Sequence, residues 1–85
     1  MHNLEIPPKL RWACRRGMLE LDVLLGNFLQ EKFLLLSAQD QAFFVKFLEN
    51  NDQDLFIWLT GKAQPEDKET KKMVDSIREH AKHRH

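Results

Sequence analysis

Proline and glycine interrupt this chain at only six residues, Pro7, Pro8, Gly17, Gly26, Gly61 and Pro65, and between them apolar residues recur in steps of three and four. Residues so spaced share one face of a helix, whereas a strand repeats every second residue. The chain is therefore expected to be all-α. The first helix starts at Pro8, where a fixed φ is tolerated, and runs to about Arg16, with Gly17 at its C-terminal end. A second, from about Met18 to Phe33, sets Met18, Leu21, Leu24, Leu25, Phe28 and Leu29 on one face and leaves Gly26 off it. Ser37, with Asp40 three residues later, opens a third that runs to about Glu49 behind Ala42, Phe43, Phe44, Phe47 and Leu48; of the adjacent Phe43 and Phe44 only one can point fully inward. Asp52 is expected to cap a fourth helix, with Leu55, Phe56, Trp58 and Leu59 inward and Gly61 as its stop. Pro65, Glu66 and Asp67 mark the start of a fifth, striped by Met73, Val74, Ile77 and Ala81. Short connections fit these segments into one compact five-helix bundle, a single domain over residues 1–85.

A core built from 85 residues leaves a net stability of only about 3–5 kcal/mol, which favours recognition on the surface over a deep enclosed pocket. Thirteen Lys and Arg balance thirteen Asp and Glu, so no charge excess is available to grip a phosphate backbone, and nucleic acid is disfavoured as a partner. Residues 37–61 carry one lysine against four acids, whereas Lys68, Lys71 and Lys72 alternate with acids and read as a solvated face. Cys14 is the only cysteine, which excludes an internal disulfide and any multi-cysteine metal site. The longest apolar run, Phe33 to Leu36, falls far short of the ~20 residues that cross a bilayer, so no membrane insertion is expected. The Met1 to Glu5 start resembles no targeting segment, and a cytoplasmic location is expected.

The stretch from Arg11 to Asp22 distributes its polar residues unlike a simple solvated face. At about 100° per residue, Leu10, Ala13 and Cys14 turn inward, Arg11 and Arg15 share one flank, and Trp12 and Arg16 share the other, where they can stack. On the next helix Asp22 falls between Leu29 and Phe33 at the margin of the apolar arc, while Glu20 falls with Asn27 and Glu31 on the polar side. A carboxylate at a core margin needs a partner, and Arg11 and Arg15 are its nearest cations, so Asp22 is assigned a structural role. Glu20 has no such obligation. Beside Gly17, which leaves room for a foreign backbone, it suggests a docking surface. The plainer alternative is that Gly17 only ends a helix, Arg15 and Arg16 only complement its dipole, and Glu20 only bridges to Arg16.

The run Trp12-Ala13-Cys14-Arg15-Arg16-Gly17-Met18-Leu19-Glu20-Leu21-Asp22 resembles the R-G-x-x-E signature, with its usual flanks, of the small succinate dehydrogenase flavinylation factors, the SdhE family. Asp52-Gln53-Asp54-Leu55-Phe56-Ile57-Trp58-Leu59 is similar to the family's second stretch, D-x-D-L-x-x-W-L, and Pro65 follows as in its members. The likeness spans about residues 9–75. It implies a five-helix assembly factor that binds the flavoprotein subunit of succinate dehydrogenase, often of fumarate reductase too, and promotes covalent attachment of FAD to a histidine of that subunit. It further implies that Arg16, Gly17 and Glu20 lie at the interface with that client, with Arg15 and Asp22 as flanks and Trp12 beside them. FAD then resides on the client, and none is held stably by the factor. Because attachment is chemistry intrinsic to the flavin, the helper acts by selecting a client conformation in which flavin and histidine are aligned; positioning by Glu20 ranks above proton transfer.

No activated nucleophile, glycine-rich phosphate loop or metal cluster stands out, so an assembly chaperone without a catalytic site is expected. The alternative class is a small helical regulatory module binding DNA or another protein, against which the zero net charge counts where DNA is concerned. Cys14 reads as a core residue and Trp58 as a core anchor. His80, His83 and His85, without thiolate or carboxylate company, read as a solvated tail, with residues 80–85 frayed.

Overall fold

The apolar stripes of the helices meet in a single core whose most enclosed side chains are Phe44, Phe47, Leu21, Leu25, Leu55 and Ile77. The computed structural model describes residues 6–84, so the N-terminal start and His85 lie outside the described residues. Five α-helices follow in order: α1 (Pro8–Ala13), α2 (Leu19–Lys32), α3 (Ala38–Phe47), α4 (Asp52–Leu59) and α5 (Lys68–Lys82), with a 3₁₀ turn at Phe33–Leu35 between α2 and α3. Among the described residues there is no strand. The longest helices, α2 and α5, pack against each other; α4 lies against both and α3 against α5. A radius of gyration of 12.3 Å agrees with the roughly 12 Å expected of a single folded domain this long. Phe28 and Phe33 each lie against Phe44, with ring centroids 5.6 and 5.7 Å apart, so α2 and the turn after it are joined to α3 through aromatic contacts.

Side-chain caps define three of the helix starts. Ser37 Oγ accepts the Asp40 N–H at 3.1 Å, Asn51 Oδ1 accepts the Asp54 N–H at 2.8 Å, and Asp67 Oδ2 accepts both the N–H and the hydroxyl of Thr70 at 2.9 Å. Two expected boundaries move as a result. Asn51 rather than Asp52 caps α4, which frees the Asp52 carboxylate for a partner elsewhere, and α5 begins after Asp67 rather than at Pro65, which is buried in the preceding loop. Gly61 stops α4 in a Schellman motif: at φ +82° its N–H bonds to the Trp58 carbonyl while the Lys62 N–H reaches Ile57. Phe44 is the inward member of its pair and Phe43 is half-buried, while Ala42, expected in the stripe, is exposed.

The C-terminal end of α5 is anchored rather than frayed, contrary to the expectation for residues 80–84. Glu31 on α2 receives His80 Nε2 at 2.8 Å and Arg84 Nε at 3.0 Å, and the His80 ring meets the Phe28 ring edge-on at 5.6 Å. His83 sits 2.7 Å from Glu79, so both described histidines of the tail do have carboxylate company. This clasp spans two helices far apart in sequence, which is why periodicity along α5 alone does not reveal it.

Candidate functional site

The corner between α1 and α2 is shaped by two residues that use their polar groups internally. Helix α1 ends at Ala13, earlier than the expected Arg16, and the chain turns through Cys14 to Met18 with Gly17 at φ +86°. That is left-handed backbone, which costs a residue with a Cβ about 1–2 kcal/mol. Gly17 is therefore a turn residue beyond α1 and not its immediate stop. A Cβ built on it would meet nothing within 4 Å, so the space beside it is open to solvent.

Helix α2 has no side-chain cap at Met18. Instead Asp22, in its first turn, reaches back and accepts the backbone N–H of Arg16 at 2.6 Å and of Gly17 at 3.3 Å. The structural role expected of Asp22 holds, but its partners are these peptide groups rather than Arg11 and Arg15; a carboxylate beside two unpaired N–H groups at a helix entrance is stabilised by both hydrogen bonding and the dipole.

The Arg16 guanidinium is turned inward, which corrects the expectation of an open one at this position. Its side chain is only 16% exposed. Nε donates to Asp52 Oδ1 at 2.7 Å, Nη1 to the carbonyls of Ala13 and Leu48, and Nη2 to that of Asn50, each at 2.9 Å. Arg16 consequently neither stacks on Trp12 nor bridges to Glu20. The cation over the Trp12 ring is Arg15, 5.9 Å from its centroid, and Arg15 is exposed.

Around this corner the solvent-facing groups are Trp12, Arg15, Gly17 and Glu20. Glu20 makes no ion pair among the described residues and lies in the first turn of α2. Two residues escape the sequence reading. Leu19 is 81% exposed and Val23 is 49% exposed, four residues apart on the outer face of α2, with Trp12 73% exposed nearby in sequence. Helical rotation sets Leu19 and Val23 opposite the buried line of Leu21, Leu25 and Phe28, so the signal was present in the wheel. Cys14 is buried, and burial pushes its thiol from 9.0 up to about 11; the Arg16 charge opposes this and the Asp22 charge adds to it. It is thus an uncharged packing residue. Trp58 is half-buried and leans on Phe47 with centroids 6.4 Å apart.

Among the described residues no three His, Cys, Asp or Glu side chains gather as metal ligands would, and no helix is long and apolar enough to cross a membrane. What the corner exposes is a carboxylate, a guanidinium, two aliphatic side chains, an indole and a glycine.

Residues 8–81 match the family model described as flavinator of succinate dehydrogenase. The chain is 48% identical over 80 residues to the FAD assembly factor SdhE of Vibrio vulnificus strain CMCP6, covering 94% of this chain and 93% of that one. It is 52% identical over 69 residues to the protein of the same name from Pseudomonas aeruginosa, covering 81% and 82%, and 45% identical over 71 residues to that of Coxiella burnetii, covering 84% and 87%.

Proposed function

We infer the function from membership: the chain belongs to the family of succinate dehydrogenase flavinators, and it is an FAD assembly factor that promotes flavinylation of succinate dehydrogenase. Its client is the flavoprotein subunit, and the α1–α2 corner is the surface that meets it. The contact set is Trp12, Arg15, Gly17 and Glu20, extended by the exposed Leu19 and Val23; Arg16 and Asp22 belong to the same corner. The observation that carries this reading is the open notch at Gly17 beside a Glu20 that has no ion pair among the described residues, with three exposed apolar side chains in the same stretch. Isolated exposed apolar residues are ordinary, but an exposed indole and two exposed aliphatic side chains in one short stretch have the make-up of an interface, with Glu20 as a polar neighbour.

The chain works as a chaperone, not an enzyme. The bond between flavin and client histidine is made by chemistry that the flavin and client supply, and FAD stays with the client rather than on this chain. Docking stabilises the client conformation in which the reacting groups are aligned, so the effect of the factor is bounded by its differential affinity for that conformation. Glu20 acts by pairing with a cationic or N–H group of the client. The fumarate reductase flavoprotein is a second client of the same chemistry, and the site of action is the cytoplasm.

The test mixes apo flavoprotein subunit, FAD and this chain, and reads covalent flavin as fluorescence of the denatured subunit. Wild type is expected to raise the yield, and Glu20→Ala to weaken client binding roughly 30-fold, as loss of a hot-spot contact of about 2 kcal/mol would, with unchanged helicity. Equal yield with and without the chain would refute the function. Full activity of Glu20→Ala would refute the assigned surface.

A further inference from the structure

Among the corner's charged groups, Arg16 turns into the fold, and what it faces there explains why an arginine stands at this position. A guanidinium has five N–H donors in one plane. Four of them are used, on the carbonyls of Ala13, Leu48 and Asn50 and on the Asp52 carboxylate. Ala13 is the last residue of α1, Leu48 caps the C-terminal end of α3, Asn50 lies just beyond it, and Asp52 opens α4. Carbonyls at helix ends lack partners within the helix and carry the negative end of its dipole, so this is a ready socket for a cation. A guanidinium that left it for a client would strand three carbonyls and a carboxylate at once. Lysine offers three donors from a single atom and cannot span the same fork.

The backbone of the same residue is held from the other side, since Asp22 accepts the N–H groups of Arg16 and Gly17. The Arg16–Gly17 peptide is thereby clamped between α2 and the α3–α4 corner. We propose that Arg16 and Asp52 are positioning residues: they touch neither client nor flavin, and their pairing fixes the relative placement of Gly17, Leu19 and Glu20 on which docking depends. This rests on the function proposed above. It also makes the two sequence motifs one device, the aspartate of the second serving as the seat for the arginine of the first, across 36 residues of chain.

The test follows covalent flavin on the apo subunit at rising concentrations of the full chain, giving a half-saturating concentration and a plateau. Arg16→Lys, Asp52→Ala and the double variant are compared, with folding checked by circular dichroism and the Gly17 amide resonance read in the free chain. Each single variant is expected to raise the half-saturating concentration about 10-fold and shift the Gly17 resonance, while the plateau at saturation is kept. The double variant is expected to be no worse than the poorer single, because both changes break one link. Asp52→Asn keeps an acceptor oxygen for Nε and is expected to restore most of the affinity. A lowered plateau for Arg16→Lys with Asp52→Ala at wild-type values, or multiplying effects in the double variant, overturns the proposal. If Asp52→Ala does not fold, the wild-type chain decides: the Arg16 Nε resonance should stay in place when the subunit is added, and a displaced one overturns the proposal. A wild-type chain that adds no covalent flavin overturns the function instead, while the Gly17 resonance still reports on the clamp, so the two failures are read separately.

Discussion

Gly17 meets a demand made by the fold and, on the docking proposed above, one made by the client, and side-chain size separates them. At φ +86° any substitution meets backbone strain, while the Cβ position has no atom within 4 Å and the residue is exposed. Gly17→Ala and Gly17→Leu are therefore expected to lose similar stability, about 1–2 kcal/mol, measured by chemical denaturation. Client affinity should fall further for leucine than for alanine, because only the outside of the notch registers its bulk. Equal affinities for the two would remove Gly17 from the interface. Cys14 gives a second residue-level test. With its pKa pushed up to about 11 from 9.0, principally by burial, the thiolate at pH 8 is about 100-fold scarcer than in an unfolded chain. Alkylation by iodoacetamide, followed by mass spectrometry, should be slower by at least that factor in the native protein than in denaturant. Rapid native alkylation would show the first helix to be loosely seated.

Helix α5 is held at its end by a carboxylate on α2, and that contact is sensitive to acid. Burial pushes the Glu31 carboxyl up, but hydrogen bonds and charge from Arg84 and His80 outweigh it and hold the group below its ordinary value. A carboxyl depressed in the folded state stabilises that state fully above its unfolded pKa, and the benefit is lost as pH falls through the folded one. The clasp should thus be intact at neutral pH, begin to lose its contribution below Glu31's ordinary value of 4.5, and open only as pH falls through the lower folded-state value. Glu31→Gln is expected to flatten the decline of melting temperature between about pH 5 and pH 3, and to speed hydrogen exchange in the last turn of α5 at neutral pH. Asp67, held low by the Thr70 donors, adds a share of its own to that slope. No change in exchange would mean that α5 is held by Met73, Val74 and Ile77 alone. Local signals made most elements legible: the Ser37 cap, the Gly61 stop and the apolar stripe of α2 all stand where spacing put them. The moved starts of α4 and α5 have a local cause, Asn51 and Asp67 taking the caps, whereas the Asp52 carboxylate and the end of α5 answer to partners remote in sequence. Asp52 reads as a cap until Arg16 claims it, and residues 80–84 read as loose until Glu31 binds them.

At the scale of the whole molecule, the candidate surface was only half legible. The wheel and the resemblance mark Gly17 and Glu20 as open positions, and the structure leaves both exposed. The inward turn of Arg16 was not legible, because its acceptors are three main-chain carbonyls, and carbonyls leave no mark on an amino-acid sequence. The same socket ties the corner after α1 to the junction of α3 and α4, so the notch is braced by three elements rather than carried on a free loop. A braced surface surrenders little freedom on engagement, and a small patch of indole and aliphatic groups gives no reason for long residence. On the docking proposed above, a corner fixed before contact suits repeated use, one copy serving successive subunits.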